Sequence, residues 1–208
     1  LRNRNNISWN ISHILLLQSG CRLSLNFKNK TTNISKATSP KKLLSESILF
    51  MDIENEEFLL FLKCAGQNNL RYLCIGGYAV NYYGFHRATE DMDIWIAPTQ
   101  ENKIYFLNTL HCMGYSDNEM TTIKNEDFTT YFMCSLGSRP NVIDILTIVH
   151  RNIKFEDAEK NASIHQLSDN ISLKLVPYDF LKEIKLRSTR QKDLLDVAKL
   201  EEIRSKQK

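Results

Sequence analysis

No apolar run in the 208 residues approaches the roughly 18–20 needed to cross a bilayer as a helix, so the sequence offers no membrane-spanning helix. Cysteine is sparse. Cys21, Cys64, Cys74, Cys112 and Cys134 are odd in number, widely spaced and without a C-x-x-C pair, which argues against a disulfide framework and against a zinc site. Cys64 and Cys74 lie in apolar segments, so the pattern reads as reduced, buried thiols in a cytoplasmic protein. A positive surplus is also missing where a nucleic-acid footprint would need it. Residues 51–208 hold nineteen Lys or Arg against twenty-three Asp or Glu, a net −4, whereas a nucleic-acid surface normally shows clustered basic residues. No internal repeat is visible. What remains, with 42% hydrophobic and 25% charged residues, is the composition of a globular domain long enough to bury a core.

The overall +3 charge comes from residues 1–50, where eight Lys or Arg face one acid, Glu46. This stretch is rich in Asn, Ser, Lys and Thr and has no sustained hydrophobic period. Its apolar center, Ile14 to Leu17, is four residues long, short of the roughly 7–15 of a secretory signal. The first methionine is Met51, where "MDIENEEFLLFL" begins an amphipathic pattern. The expectation is that 1–50 is a disordered leader or upstream sequence, with the natural start at Met51. Residues 51–150 then form a core domain, and 151–208 a hairpin and helices packed on it.

Within the body, the spacing predicts a helix over 54–65, with Asp52 as its cap and Gly66 as its stop. "RYLCIGG" reads as a buried strand, "YAVNYYGF" as a short helix, and "MDIWIA" as a strand closed by Pro98. Thr99 caps a helix that runs to Gly114. "FTTYFMCS" and "NVIDILTIV" read as strands joined by "LGSRP", and "FEDAEKNA" as helical. "IHQL" and "ISLKLV" form a hairpin. Pro177 opens a helix, and a last helix buries Leu194, Leu195, Ala198 and Leu200. The fold class is α/β, in the α+β sense: a small mixed sheet flanked by helices, with a C-terminal helical element.

Chemistry concentrates in "CIGGYAVNYYGFHRATEDMDIWI". Asp91 and Asp93 are two apart on a strand, so both point to one face, about 6.5–7 Å apart along the chain. Met92, Ile94 and Ile96 take the core-facing alternation. Asp144 interrupts the aliphatic run "VIDIL", where a carboxylate is costly unless paired or bound to a metal. Acids from two strands make an oxygen-rich site of the kind Mg²⁺ takes, and two such ions suit phosphoryl transfer. Gly76-Gly77, between strand and helix, lets backbone approach a phosphate, and Arg87 lies within reach of one.

The order Ile75-Gly76-Gly77, thirteen residues, then Asp91-Met92-Asp93-Ile94 resembles the hG[GS]…Dh[DE]h signature of the nucleotidyltransferase superfamily, the polymerase-β-like fold. "GGYA" with Arg87-x-Thr89-x-Asp91-x-Asp93 is most similar to the branch that includes AbiEii-type and aminoglycoside or lincosamide nucleotidyltransferases. Lys185, Arg190, Lys192, Asp193 and Asp196 match that group's C-terminal pattern. Many members carry Ser where Gly77 stands.

The resemblance implies transfer of a nucleoside monophosphate from an NTP, ATP above all, to an acceptor hydroxyl, with release of pyrophosphate. Asp91, Asp93 and Asp144 would be the catalytic residues and the ligands of two Mg²⁺ ions, with Mn²⁺ as a substitute. Gly76, Gly77, Arg87 and Lys185 would bind the nucleotide. The acceptor classes open to it are a small molecule, a tRNA or a protein. The partners open to it are a second copy in a homodimer or an antitoxin. The competing expectation is a non-catalytic or regulatory toxin–antitoxin-type module on the same scaffold, acting through a partner.

Plainer readings stand beside these. His86 reads as a partly exposed loop histidine in preference to a nucleotide contact, and Tyr82 and Tyr83 as core and rim packing. Asp193 and Asp196 read as helix-surface charges pairing with Lys192 and Arg190 or capping neighbours, and Lys185 as a solvated lysine as readily as a ligand. Trp95, on the strand face of the two acids, is left between base stacking and packing.

Overall fold

A computed structural model describes residues 21–23, 55–139 and 141–207, the first segment by its backbone pairing alone. The expected start at Met51, the cap at Asp52 and all of the leader other than 21–23 lie outside these residues.

The elements follow in chain order. They are β1 (Cys21–Leu23), α1 (Glu56–Gln67), β2 (Tyr72–Cys74), α2 (Gly76–Tyr82), β3 (Asp91–Ile96), α3 (Gln100–Cys112) and α4 (Thr121–Asn125). Then come β4 (Met133–Ser138), β5 (Asn141–Leu146), α5 (Phe155–Glu159), β6 (Ser163–Ser168), β7 (Ile171–Leu175), α6 (Tyr178–Ser188) and α7 (Gln191–Ser205). One mixed sheet takes the order β1-β4-β5-β3-β2-β7-β6. Its pairs alternate in sense. β1 on β4, β5 on β3 and β2 on β7 are parallel, while β4 on β5, β3 on β2 and β7 on β6 are antiparallel. This is the expected mixed α+β architecture with helices at its C-terminal end.

Local chemistry explains most boundaries. α1 starts where Asn55 turns its side-chain oxygen to the amides of Glu57 and Phe58. It buries Phe58, Phe61, Leu62, Cys64 and Ala65, a stripe at helical spacing. α3 starts at the Thr99 cap, as expected. The "FTTYFMCS" strand begins five residues later than the sequence suggested, at Met133, because Phe128 and Phe132 stack on each other in the core ahead of it. Helix α4, which sequence reasoning missed, occupies the preceding connection.

The core gathers on the central strands. Met92, Ile94, Ile143, Ile145, Leu73 and Cys74 are all essentially inaccessible. Burying a side chain of this kind stabilises by roughly 1.5–3 kcal/mol. Asn102, itself buried, joins the base of β2 to the end of β3, accepting from the Arg71 amide and donating to the carbonyls of Arg71 and Ala97. Trp95 is a core residue, packed edge-on against Phe155 with its indole N–H on the Thr147 carbonyl. The downstream half of β3 is therefore covered on both faces, which settles Trp95 as packing.

Two expectations are corrected. α7 does not bury Leu194 and Leu195, which are 44% and 54% exposed, nor Ala198. It buries Asp193, Asp196, Val197 and Leu200. Cys64 and Cys112 are not reduced thiols: they form a disulfide between α1 and α3, with Cα atoms 5.7 Å apart. Forty-eight residues separate them, so only the packing of the two helices makes them neighbours.

Closing a loop of that length restricts the unfolded chain by about 4 kcal/mol in the chain-entropy account. Urea denaturation should show a loss of that order on adding reductant, and Cys112→Ser should show it without reductant. Equal midpoints in all three samples would rule the bond out.

Candidate functional site

The register of three strands sets out the site. β5 lies between β4 and β3, and Ser135, Asp144 and Asp93 are paired across them in one line. Adjacent strands stand about 4.8 Å apart, so the two carboxylates are immediate neighbours. Asp91, two residues before Asp93, shares its face, while Met92 between them is buried. The three acids picked out by the sequence therefore share one face of the sheet, all partly accessible.

Hydroxyls hold the two outer acids. Ser135 Oγ donates to Asp144 Oδ1 at 2.5 Å, and Thr89 Oγ1 donates to Asp91 Oδ1 at 3.2 Å. Asp93 lies between them and against Gly76. A Cβ on Gly76 would stand 2.6 Å from Asp93 Cγ and closer still to Oδ2, and its φ of +65° already favours glycine. The Ile75 amide donates to the Asp93 carbonyl, which ties the start of α2 to the acidic strand. A Cβ on Gly77 would meet Thr89 Cβ at 2.7 Å and Arg87 Nη1 at 3.3 Å. The glycine pair thus lets α2 close down on the acids and on the loop before them.

The field at Asp93 follows from that crowding. Burial first, then the charges of Asp91 and Asp144, push its carboxyl up to about 7, against the opposing pull of Lys185 and Arg190. Burial, then Asp93, pushes the Cys74 thiol well above its usual value, so it is not a ready nucleophile at neutral pH. Crowded carboxylates raise one another's proton affinity, and a divalent cation relieves the same repulsion. In that respect the donor set fits a hard cation. Among the described residues, no three His, Cys, Asp or Glu side chains are gathered as a closed ligand group, so the acids share a face and a field without forming a preassembled cage.

Behind the acids lies a network that sequence reasoning placed on the surface. Arg87 grips Asp196 with Nε at 2.7 Å and Nη2 at 2.8 Å. Lys185, 4% exposed, donates to Asp193 at 2.7 Å and to Asp196 at 2.8 Å. Asp193 also accepts from Ser188 Oγ and from Arg190 Nε. The buried Asn81 fixes the Arg87 backbone through both its amide and its carbonyl. The structure therefore brings Gly76, Gly77, Asp91, Asp93 and Asp144 together directly, and joins Arg87 and Lys185 to each other through Asp196 of α7, with Arg87 beside Gly77 and the Lys185 charge acting on Asp93. Arg190 pairs with Asp193 as expected, but Asp193 and Asp196 are 2% and 1% exposed, and Lys185 is a buried ion-pair member, not a solvated lysine. The sequence did hold a signal for this: 193, 196, 197 and 200 form one helical stripe, which hydrophobicity alone passes over. His86 lies in an exposed loop. Tyr82 and Tyr83 pack partly buried, with the Tyr83 hydroxyl on the Val176 carbonyl. Among the described residues no helix is long and apolar enough to cross a membrane.

No protein-family model matches the chain. No curated protein matches it in sequence either.

Gly76→Ala should lose about 1–2 kcal/mol from its left-handed backbone alone, and more from displacing the Asp93 carboxylate. A melting temperature equal to the parent's would contradict the close approach. Asp196→Asn leaves Arg87 and Lys185 facing a neutral amide and should cost about 3–5 kcal/mol at pH 7. Burial raises the Asp196 carboxyl, but the hydrogen bonds and charges of Arg87 and Lys185 outweigh it and hold the group below 3.8, so the stability they supply is present above that pH and is lost as the pH falls through the folded-state value. The gap between Asp196→Asn and the parent should accordingly narrow in urea melts taken below pH 3.8, and a gap that stays constant would refute the assignment.

Proposed function

We propose that this protein is a metal-dependent nucleotidyltransferase of the polymerase-β-like kind, moving a nucleoside monophosphate from an NTP to an acceptor hydroxyl. The observation that carries the reading is the cross-strand line of Asp93 and Asp144, with Asp91 on the same face and the Gly76-Gly77 turn closed down upon it. The motif order of these residues in the sequence supports the same reading.

Asp91, Asp93 and Asp144 are the residues that would hold Mg²⁺ or Mn²⁺. The metal, when bound, supplies Lewis acidity at the phosphoryl oxygens and charge for the leaving pyrophosphate. Asp144 takes the proton of the acceptor hydroxyl. Gly76 and Gly77 keep side chains away from the triphosphate. Arg87 and Lys185 supply fixed positive charge beside the carboxylates, held in place by Asp196 and Asp193. ATP is the first NTP to test, and the acceptor belongs to one of three classes: small molecule, tRNA or protein.

A cytoplasmic site of action belongs to the same proposal, because NTPs are available there. The Cys64–Cys112 bond is the observation that stands against it. Intact mass of protein taken from cells under non-reducing conditions distinguishes the two.

The second reading is a non-catalytic or regulatory toxin–antitoxin-type module on this scaffold, acting through a partner. The engagement of Arg87 and Lys185 with buried aspartates favours it, because both expected phosphate contacts are already in ion pairs. Calorimetry with ATP and Mg²⁺, together with a pull-down, separates the readings: no nucleotide binding and a stable antitoxin-like partner would favour the module.

For the enzyme, incubation with α-labelled NTPs and a cell lysate should label an acceptor. Asp144→Asn should slow that labelling by about 10²–10⁴-fold, and Asp91→Asn should abolish it with the fold intact by circular dichroism. Undiminished labelling in Asp91→Asn would sink the assignment.

A further inference from the structure

We infer that Ser135 is a positioning residue, holding the Asp144 carboxylate in its orientation on the acid-bearing face of the sheet; the inference rests on the metal-dependent reading above. Three observations meet here. β4 and β5 are antiparallel with Ser135 directly opposite Asp144, and β5 sets Asp144 opposite Asp93. The hydroxyl and both carboxylates therefore stand in one row across the sheet. The Ser135 Oγ to Asp144 Oδ1 distance is 2.5 Å, at the short end of the about 2.5–2.7 Å of a hydroxyl donating to an ionised carboxylate. The neighbours of Ser135 on the same face of β4 are Met133 and Gly137, which bring no competing side-chain donor, while Cys134 and Leu136 face the core.

A hydroxyl in this row does two things. It holds the rotamer of Asp144 by donating to Oδ1 from the neighbouring strand. It also compensates part of the carboxylate charge on the side away from Asp93. Thr89 does the same for Asp91 from the opposite side, at the longer distance of 3.2 Å, and it can do so because Gly77 leaves room for its side chain. Each outer acid is thus held from outside by a hydroxyl, and Asp93 is held from within by contact with Gly76. Groups that orient metal ligands in this way typically change affinity by about 10–100-fold when removed.

The test uses the full chain and Mn²⁺ alone, titrated by calorimetry and by the loss of the free-ion electron paramagnetic resonance signal. Ser135→Ala should weaken Mn²⁺ binding by at least about tenfold with its melting temperature unchanged. Ser135→Thr, which restores a hydroxyl on a strand that tolerates β-branching, should recover most of the affinity. Ser138→Ala, at the exposed end of the same strand, should bind as the parent does. The inference is overturned if Ser135→Ala binds Mn²⁺ like the parent, or if Ser135→Thr is as weak as Ser135→Ala. Should Ser135→Ala melt early, the Ser135→Thr comparison decides by itself, because it keeps the hydroxyl. A parent chain that binds no Mn²⁺ would defeat the metal-dependent reading along with this inference. A parent that binds Mn²⁺ and labels an acceptor, beside an unaffected Ser135→Ala, would defeat this inference alone.

Discussion

The parallel register of β3 on β5 is the constraint on which the rest of the molecule depends. Met92 opposite Ile143 and Ile94 opposite Ile145 put four inaccessible side chains into the core. The alternation then leaves Asp93 opposite Asp144 on the other face. A slip of β3 by one residue would turn Asp91 and Asp93 inward and Met92 and Ile94 out, so the apolar pairs lock the acidic pair in place. The repulsion between the carboxylates cannot be relieved by sliding a strand. It must be met where it arises, by protonation, by hydrogen bonding or by a cation.

The structure meets it from three sides. Ser135 and Thr89 donate to the outer acids. Gly76 permits the contact with Asp93 that a side chain would forbid. Lys185 and Arg190 oppose the rise in the Asp93 proton affinity from behind. Their cluster carries three positive charges, counting Arg87, against two on Asp193 and Asp196. One positive charge is left over next to a group of three negative ones. Buried ion pairs are weak evidence for stability, since desolvation offsets most of their attraction. Their consequence here is geometric: they join α6 and α7 to the loop that leads into β3.

How far the sequence could be read depended on the range of each interaction. Period-two alternation around Asp91 and Asp93, the Thr99 cap and the β6–β7 hairpin are local, and all were legible. Placing Asp144 beside Asp93 took the motif order, because nothing within "VIDIL" says which strand it meets. Ser135 gave no signal, since its role exists only through pairing across β4 and β5. α7 was misread for a physical reason. Hydrophobicity favours Leu194 and Leu195, but the space behind that helix is filled by Lys185 and Arg87, and there a carboxylate is the better neighbour. The Cys64–Cys112 bond was missed because it joins two helices that the chain separates by 48 residues.

The inverted α7 bears on whether Arg87 and Lys185 remain able to meet an anion. Arg87 has five N–H donors, and its hydrogen bonds use three: Nε and Nη2 on Asp196 and Nη1 on the Ala88 carbonyl. Lys185 has three donors and uses two. Among the described residues each cation therefore keeps at least one donor outside these bonds, and Nη1 of Arg87 would stand 3.3 Å from a Cβ at Gly77. Fixing a guanidinium by its far edge leaves its near edge pre-oriented, which lowers the ordering cost when a ligand arrives. Ion pairing with α7 and contact with an anion at the glycine turn are thus compatible demands on the same side chain. Burying Asp196 instead of Leu194 or Leu195 is what makes them so.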